Sequence, residues 1–464
     1  MALMVSISGI RGIVGQDLTP DTVGSYACAF VEYCRLNSPE SRSIVVGRDG
    51  RVTGEMLTDL VVGNLTAMGM DVRLLGICPT PTVQLAVEHE HAAGGIAVTA
   101  SHNPMEWNGM KFVASSGMFL NGEENKAFWG MTDHAFTFAP WRQVGTIVHD
   151  ATWLQKHIDE VLRLPFIDPR KIARRKFKVV LDCINAAGGM IVPALLQEFG
   201  CQVISMNCEV SGVFARTPEP IPENLTAVAE RVRVEQADLG IVVDPDVDRL
   251  VLIDEHGEPF GEENTIATAV QFMLGHESQN PRTHSSPLSV VVNLSTTRAV
   301  DDIATTYGAR CIRTAVGEIN VARRMKEECA IIGGEGSGGV ILPAVHLGRD
   351  AIVGIALILE HLTESGKSLS AIKAALPQYS IAKGKTAVGS LSPEVVLKTL
   401  ESKYAGKARV NREDGIKFDF PDYWIHLRKS NTEPIIRVLA EAPTAEQAGS
   451  IVDSVLKEIQ AISR

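Results

Sequence analysis

Apolar runs rich in Val and Ile alternate, through most of the chain, with stretches whose apolar residues return at helical spacing. The runs read as buried strands and the stretches as amphipathic helices, which together argue for an α/β architecture. The order repeats. SIVVG (43–47) is followed by a helical stretch near 54–69, then DVRLLGI (71–77), a second helical stretch, and GGIAV ending at Val98. FKVVLD (177–182), QVISM (202–206) and LGIVV ending at Val243 follow the same order, as do LSVVVN (288–293), ARCIRT and AIIGG. Each block is strand, helix, strand, helix, strand. Beyond about residue 380, DGIKFDFPDYWIHLRKSNTEPIIRV reads as strands, and a closing amphipathic helix is expected near 444–460.

The expected fold is therefore three successive α/β domains of similar topology with mixed sheets, 1–152, 153–264 and 265–376, plus a smaller C-terminal α+β domain, 377–464. The chain is long for a single core, and its length favours such a division. The last strand of each block runs straight into a polar loop: TASHNP, DPDVDR or GGEGSGG. Ligands of open α/β sheets gather outside the carboxyl ends of strands, so the loops would face one central cleft.

Composition narrows the function classes. With 45% hydrophobic and 21% charged residues the chain reads as an ordinary soluble globular protein. Its net charge of -11, from 44 basic and 55 acidic residues, argues against nucleic acid as a partner. A small anionic substrate would need a local basic pocket. The eight cysteines include no C-x-x-C pair and are expected to be reduced and structural. MALMVSISGIRGIVG lacks a basic segment followed by a proper apolar one, and no apolar stretch reaches membrane-spanning length. Cytoplasm is the expected compartment, and no membrane partner is expected.

The loops carry the candidate chemistry. In TASHNPMEWNGMKF, adjacent side chains on an extended segment point to opposite faces, so His102 is expected to be poorly placed to deprotonate Ser101. There is no G-x-S-x-G elbow either. DPDVDRL offers Asp244, Asp246 and Asp248 at alternate positions, a spacing that suits Mg²⁺ or Ca²⁺. An EF-hand is rejected because Arg249 stands where its bend needs Gly and a strand follows, which leaves Mg²⁺ preferred. GGEGSGG has the backbone freedom to approach a ligand closely, with Glu335 and Ser337 as its functional side chains; a plain flexible turn reads as well. Arg428, Lys429, Ser430, Asn431 and Thr432 cluster before a strand as donors suited to a phosphate, against a solvated hairpin tip. Arg11 lies between glycines, and Arg48 and Arg51 end the first long strand, where a structural role serves equally. Lys111 is either a surface lysine or a proton carrier near the serine.

TASHNP, DPDVDR, GGEGSGG and RKSNTEP, in this order over almost the whole chain, resemble the α-D-phosphohexomutase family. The resemblance implies a phosphoserine loop, a metal loop, a sugar loop and a phosphate loop, one per domain. Ser101 would pass its phosphoryl group to a sugar phosphate and take another back from a bisphosphorylated intermediate. Mg²⁺ would be held by Asp244, Asp246, Asp248 and a phosphate oxygen on Ser101. The candidate catalytic residues are Ser101, its neighbour His102, Lys111, Arg11 and Arg249, with Lys111 for proton traffic. Glu335 and Ser337 would grip sugar hydroxyls, while Arg428, Ser430, Asn431 and Thr432 would hold the non-reacting phosphate. A hexose bisphosphate serves as activator and intermediate, the partner is a small sugar phosphate, and the chain acts as monomer or homodimer. The fourth domain would open and close as a lid.

The motifs look most like the phosphoglucosamine mutase branch, which implies glucosamine 6-phosphate and glucosamine 1-phosphate as substrate and product. Phosphomannomutase or phosphoglucomutase is the alternative; a non-catalytic sugar-phosphate regulator and a Mg²⁺-dependent phosphatase stand further off. The chain departs from the common pattern at Gly339, where many relatives have His, at Asn431, where many have Gly, and at Val247, where a smaller residue is usual and Val is expected to be tolerated.

Overall fold

Seven strands build the first sheet, in the order Met4–Ser6, Gly9–Ile13, Trp107–Ala114, Gly94–Val98, Ser43–Arg48, Asp71–Ile77 and Ile147–His149. The last four run parallel to one another and the rest pair antiparallel, so the sheet is mixed. The second sheet orders Leu250–Ile253, Leu239–Val243, Lys178–Asp182 and Gln202–Met206, and the third Arg310–Thr314, Ser289–Asn293, Ile332–Glu335, Gly339–Leu342 and His346–Arg349. This is a computed structural model, which describes residues 3–279, 287–388, 391–429 and 435–462.

One plan recurs in these three sheets. A strand buried at every residue, Gly94–Val98, Leu239–Val243 or Ile332–Glu335, ends in a short loop and is followed by an antiparallel neighbour. Burial on both faces is what near-continuous apolar runs require of a strand flanked by helices. GGEGSGG is tighter than a seven-residue loop, because Gly334 pairs with Val340 and Glu335 with Gly339, leaving 336–338 as the turn. The fourth sheet is wholly antiparallel, in the order Ser380–Ala387, Ile435–Ala442, Trp424–Lys429, Ile416–Asp419 and Arg409–Asn411, and packs with the helices Pro393–Tyr404 and Ala445–Ile462.

A continuous apolar core runs through the first three units, from Val45 and Leu85 through Leu181 and Val243 to Val292 and Ile355. At their junction two buried imidazoles share one carboxylate oxygen. His157 Nε2 lies 2.7 Å and His346 Nε2 3.1 Å from Asp350 Oδ2, while Thr82 Oγ1 lies 2.9 Å from His157 Nδ1. Asp350 also caps the helix Ala351–Ser365 by accepting the N–H of Ile352 at 2.8 Å, so its carboxylate is satisfied although buried. The fourth unit has its own core of Leu400, Phe418, Leu427, Val438 and Val455. Among the described residues no helix is long and apolar enough to cross a membrane, and Cys28, Cys34, Cys78 and Cys183 are buried free thiols.

Candidate active site

The loop after Gly94–Val98 is held from beneath by one buried arginine. Arg51 donates to the carbonyls of Ser101 and Asn103 at 2.7 Å each, of Pro104 at 2.7 Å and of Trp107 at 2.9 Å, and its Nε donates to Asp49 Oδ2 at 3.1 Å. Thr99 completes the frame: its hydroxyl donates to Asp49 and accepts the N–H of Ser101. The sequence left Arg51 open between a structural and a functional role; it shapes the serine loop.

The expectation that Ser101 and His102 diverge is corrected. Ser101 adopts φ +47°, a left-handed conformation, so the segment is turned rather than extended. Its Oγ lies 3.3 Å from His102 Nδ1 and donates to Asp244 Oδ2 at 3.0 Å. Burial, with Arg249 and Arg11 adding to it, lowers His102 to about 2, so the imidazole is neutral near pH 7.

The loop DPDVDR joins Val243 to Leu250, and its three carboxylates are buried. Asp246 Oδ2 accepts from Lys111 at 2.6 Å and from Thr80 at 2.7 Å; Asp248 Oδ2 accepts from Lys111 at 3.1 Å and from Arg349 at 2.6 Å. Oδ1 of both aspartates has no hydrogen-bond partner among the described residues. Buried, unpartnered carboxylate oxygens beside Asp244 are the donor set a hard divalent cation takes, so these residues fit Mg²⁺. Burial and the two neighbouring aspartates push Asp244 well up, whereas Lys111, against burial, holds Asp246 down, and Arg349, Lys111 and Arg249, likewise against burial, hold Asp248 down. Lys111 is no surface lysine. Burial opposes its charge, yet Asp246 and Asp248 outweigh burial and raise it, so it is an ammonium donor.

Val247 sits at the turn of this loop with φ +62°. A left-handed β-branched residue costs about 1–2 kcal/mol, and burying a Val side chain returns about 1.5–3 kcal/mol. The two are of similar size.

Arg11 donates to Asn103 Oδ1 at 3.0 Å, and Arg249 takes its place through its backbone N–H on Asp244 Oδ1 at 3.1 Å. Arg249, Ser337, Arg349, Arg428 and Arg437 line a cavity of about 600 Å³ to which the second, third and fourth units all contribute. Glu219, Glu262 and Glu263 border it too, so the lining carries both signs, with arginines available to an anionic ligand. Glu335 also borders it but is turned inward: Oε1 accepts from Asn293 at 2.8 Å and from the Gly317 N–H at 2.9 Å, and Oε2 from Arg349 at 2.7 Å. Arg428 Nε stands 2.8 Å from Asp414 Oδ2, an ion pair without hydrogen-bond alignment. Ser430, Asn431 and Thr432 lie outside the described residues.

Thr80, Glu318, Arg349 and Arg437 went unnoticed in the sequence. Arg349 had a signal: it ends a strand, the position that exposed the other loops. Thr80 and Glu318 begin helices and meet the site only through the fold.

Four family signatures match the chain in order: phosphoglucomutase/phosphomannomutase alpha/beta/alpha domain I over residues 4–135, domain II over 155–257, domain III over 263–379, and the C-terminal domain over 383–458. A phosphoglucomutase/phosphomannomutase of Thermococcus kodakarensis is 36% identical, covering 99% of each chain. A phosphoglucosamine/phosphogalactosamine mutase of Sulfurisphaera tokodaii is 31% identical, covering 99% of this chain and 100% of its own. Among solved structures, a phosphoglucomutase/phosphomannomutase family protein of Burkholderia thailandensis superposes with a TM-score of 0.84 at 24% identity, over 99% of this chain and 98% of its own.

Proposed function

The chain belongs to the phosphoglucomutase/phosphomannomutase family and is a phosphohexomutase; from that premise we propose that it moves phosphate between C6 and C1 of glucosamine phosphate through a phosphoserine at Ser101. The observation that carries this reading is the buried Ser101 Oγ, 3.0 Å from Asp244, in a metal loop whose Arg249 borders the cavity.

Ser101 presents its oxygen on a loop fixed by Arg51, so a phosphoryl group there is offered to the sugar hydroxyl without reorganisation of the backbone. The hydroxyl attacks phosphorus, the bond to Ser101 Oγ breaks, and a bisphosphorylated sugar forms. The hydroxyl loses a proton as the serine oxygen gains one. Lys111, whose ammonium rests on Asp246 and Asp248, relays the proton: it gives one to the serine oxygen and takes up the one the hydroxyl releases, so its own charge is restored at the end of the step. Bound by Asp244, Asp246 and Asp248, Mg²⁺ would neutralise charge on the moving phosphoryl group. Arg428, together with Ser430, Asn431 and Thr432, holds the other phosphate, and Arg437 stands opposite Arg428 on the next strand. The sugar then turns over in the cleft and returns its second phosphoryl group to Ser101.

Glu219 borders the same cavity and gives an ammonium at C2 an acidic neighbour, which supports the amino sugar, whereas Glu262 there is paired with Lys383 at 2.8 Å. One observation favours glucose or mannose phosphate instead. Both oxygens of Glu335, the acidic group of the sugar loop, are engaged by protein donors.

The test is ³¹P NMR of the phosphorylated, Mg²⁺-loaded protein with glucosamine, glucose and mannose 6-phosphates in separate samples. The 1-phosphate signal is expected to grow fastest from the amino sugar, and Ser101→Ala to abolish it with near-ultraviolet circular dichroism unchanged. Release of inorganic phosphate alone would mean a phosphatase, and turnover by Ser101→Ala would remove the phosphoserine step.

A further inference from the structure

Arg349 ends the strand His346–Arg349, and its side chain crosses the neighbouring strand at Gly339. A Cβ on residue 339 would stand 2.3 Å from Cδ and 2.9 Å from Cγ of Arg349, so glycine alone leaves the side chain its path. At the end of that path the guanidinium divides its nitrogens among three carboxylates. Nε donates to Glu318 at 3.1 Å, one terminal nitrogen to Glu335 Oε2 at 2.7 Å and the other to Asp248 Oδ2 at 2.6 Å. Asp248 belongs to the metal loop, Glu335 to the sugar hairpin, and Glu318 to the start of the helix Glu318–Glu328. With Oδ2 of Asp248 taken by Arg349 and Lys111, Oδ1 is the oxygen left without a hydrogen-bond partner. A planar fork fixes directions as well as charge, which a flexible ammonium does not.

We propose that Arg349 is a positioning residue that sets the metal loop against the sugar hairpin, presenting Asp248 Oδ1 to the cation and fixing Glu335, with Gly339 as the gap that admits it. This rests on the mutase reading given above. Groups that hydrogen-bond a metal ligand from outside its coordination shell tune metal affinity by about 10–100-fold, and here the same side chain also holds a sugar-loop carboxylate.

The test uses the full chain and the variants Arg349→Lys, Arg349→Ala, Gly339→Ala and Gly339→Ala/Arg349→Ala. Mn²⁺ binding is read by electron paramagnetic resonance without sugar, kcat and KM are read on hexose phosphate, and circular dichroism checks the fold. Arg349→Lys keeps the charge but not the fork, and it and Arg349→Ala are expected to lose about tenfold or more in Mn²⁺ affinity and to raise KM. Gly339→Ala should reproduce both losses although Arg349 is intact. Adding it to Arg349→Ala should cost nothing further, because the side chain it collides with is gone. Tighter Mn²⁺ binding by Arg349→Ala would reduce the guanidinium to a competing charge and overturn the proposal. So would wild-type Mn²⁺ affinity and KM in Gly339→Ala, or a lower melting temperature with both readouts unmoved in Arg349→Lys. If the wild type turns over no hexose phosphate, the mutase reading falls, and the Mn²⁺ measurements still decide the role of Arg349.

Discussion

Glu263 carries its carboxyl against the backbone of Gly336 and accepts the N–H of Thr297 at 2.9 Å. Removal from water raises this carboxyl from 4.5 to about 8, with Glu262 and Glu441 adding to the rise and the Thr297 hydrogen bond opposing it. Between those values the native chain keeps a proton that the unfolded chain has lost, so stability falls as pH rises through the window and the fall ends above it. Glu263→Gln keeps the acceptor and removes the titration. Its melting temperature is expected to drop less than the wild type's between pH 5 and pH 8, and parallel curves for the two proteins would show that Glu263 is ionised throughout. At this scale the sequence was legible where chemistry is local. The carboxylates of DPDVDR and the serine of TASHNP declared themselves by type and spacing. The closeness of Ser101 to His102 did not, because it depends on a left-handed φ that alternation cannot report, and Arg349 did not, because its three partners come from three separate segments.

The elements were legible by period: the strands Asp71–Ile77 and Gln202–Met206 lie at their expected bounds, and the last helix, Ala445–Ile462, lies within two residues of its expected range. The hairpin of Ile332–Glu335 and Gly339–Leu342 was harder, since glycine-rich sequence carries no alternation to show that strands continue on both sides of its turn. What holds the hairpin is a close approach. Gly338, at φ +85°, accepts the N–H of Leu250 at 2.9 Å, and a Cβ there would stand 2.3 Å from the Leu250 carbonyl oxygen. Gly338→Ala is therefore expected to pay both for its φ and for moving the hairpin off the strand Leu250–Ile253, a loss of about 2 kcal/mol or more in urea unfolding. A variant as stable as the wild type would mean that the two elements touch without constraint.

On the scale of the molecule, the first three units share an apolar core and the fourth does not. Its contacts with the third include polar ones: Glu441 accepts from the Arg298 N–H at 2.9 Å, His426 Nδ1 lies 2.9 Å from Ser295 Oγ, and Asp414 accepts from the Val316 N–H at 3.0 Å. Without a shared apolar core to couple them, the fourth unit is expected to open as a separate cooperative block. Hydrogen exchange should give amides of Ile416–Asp419 and Trp424–Lys429 a lower opening free energy than those of Lys178–Asp182 and Leu239–Val243. Equal protection would bind all four units into one transition and leave no room for a moving lid.

Arg51 grips the serine loop by four backbone carbonyls and by no side-chain atom of residue 101. The mount is thus indifferent to its load. A group attached to Ser101 Oγ would displace its contacts with Asp244 and His102 but would meet none of the four carbonyls that Arg51 holds, so the loop could be loaded and unloaded without refolding.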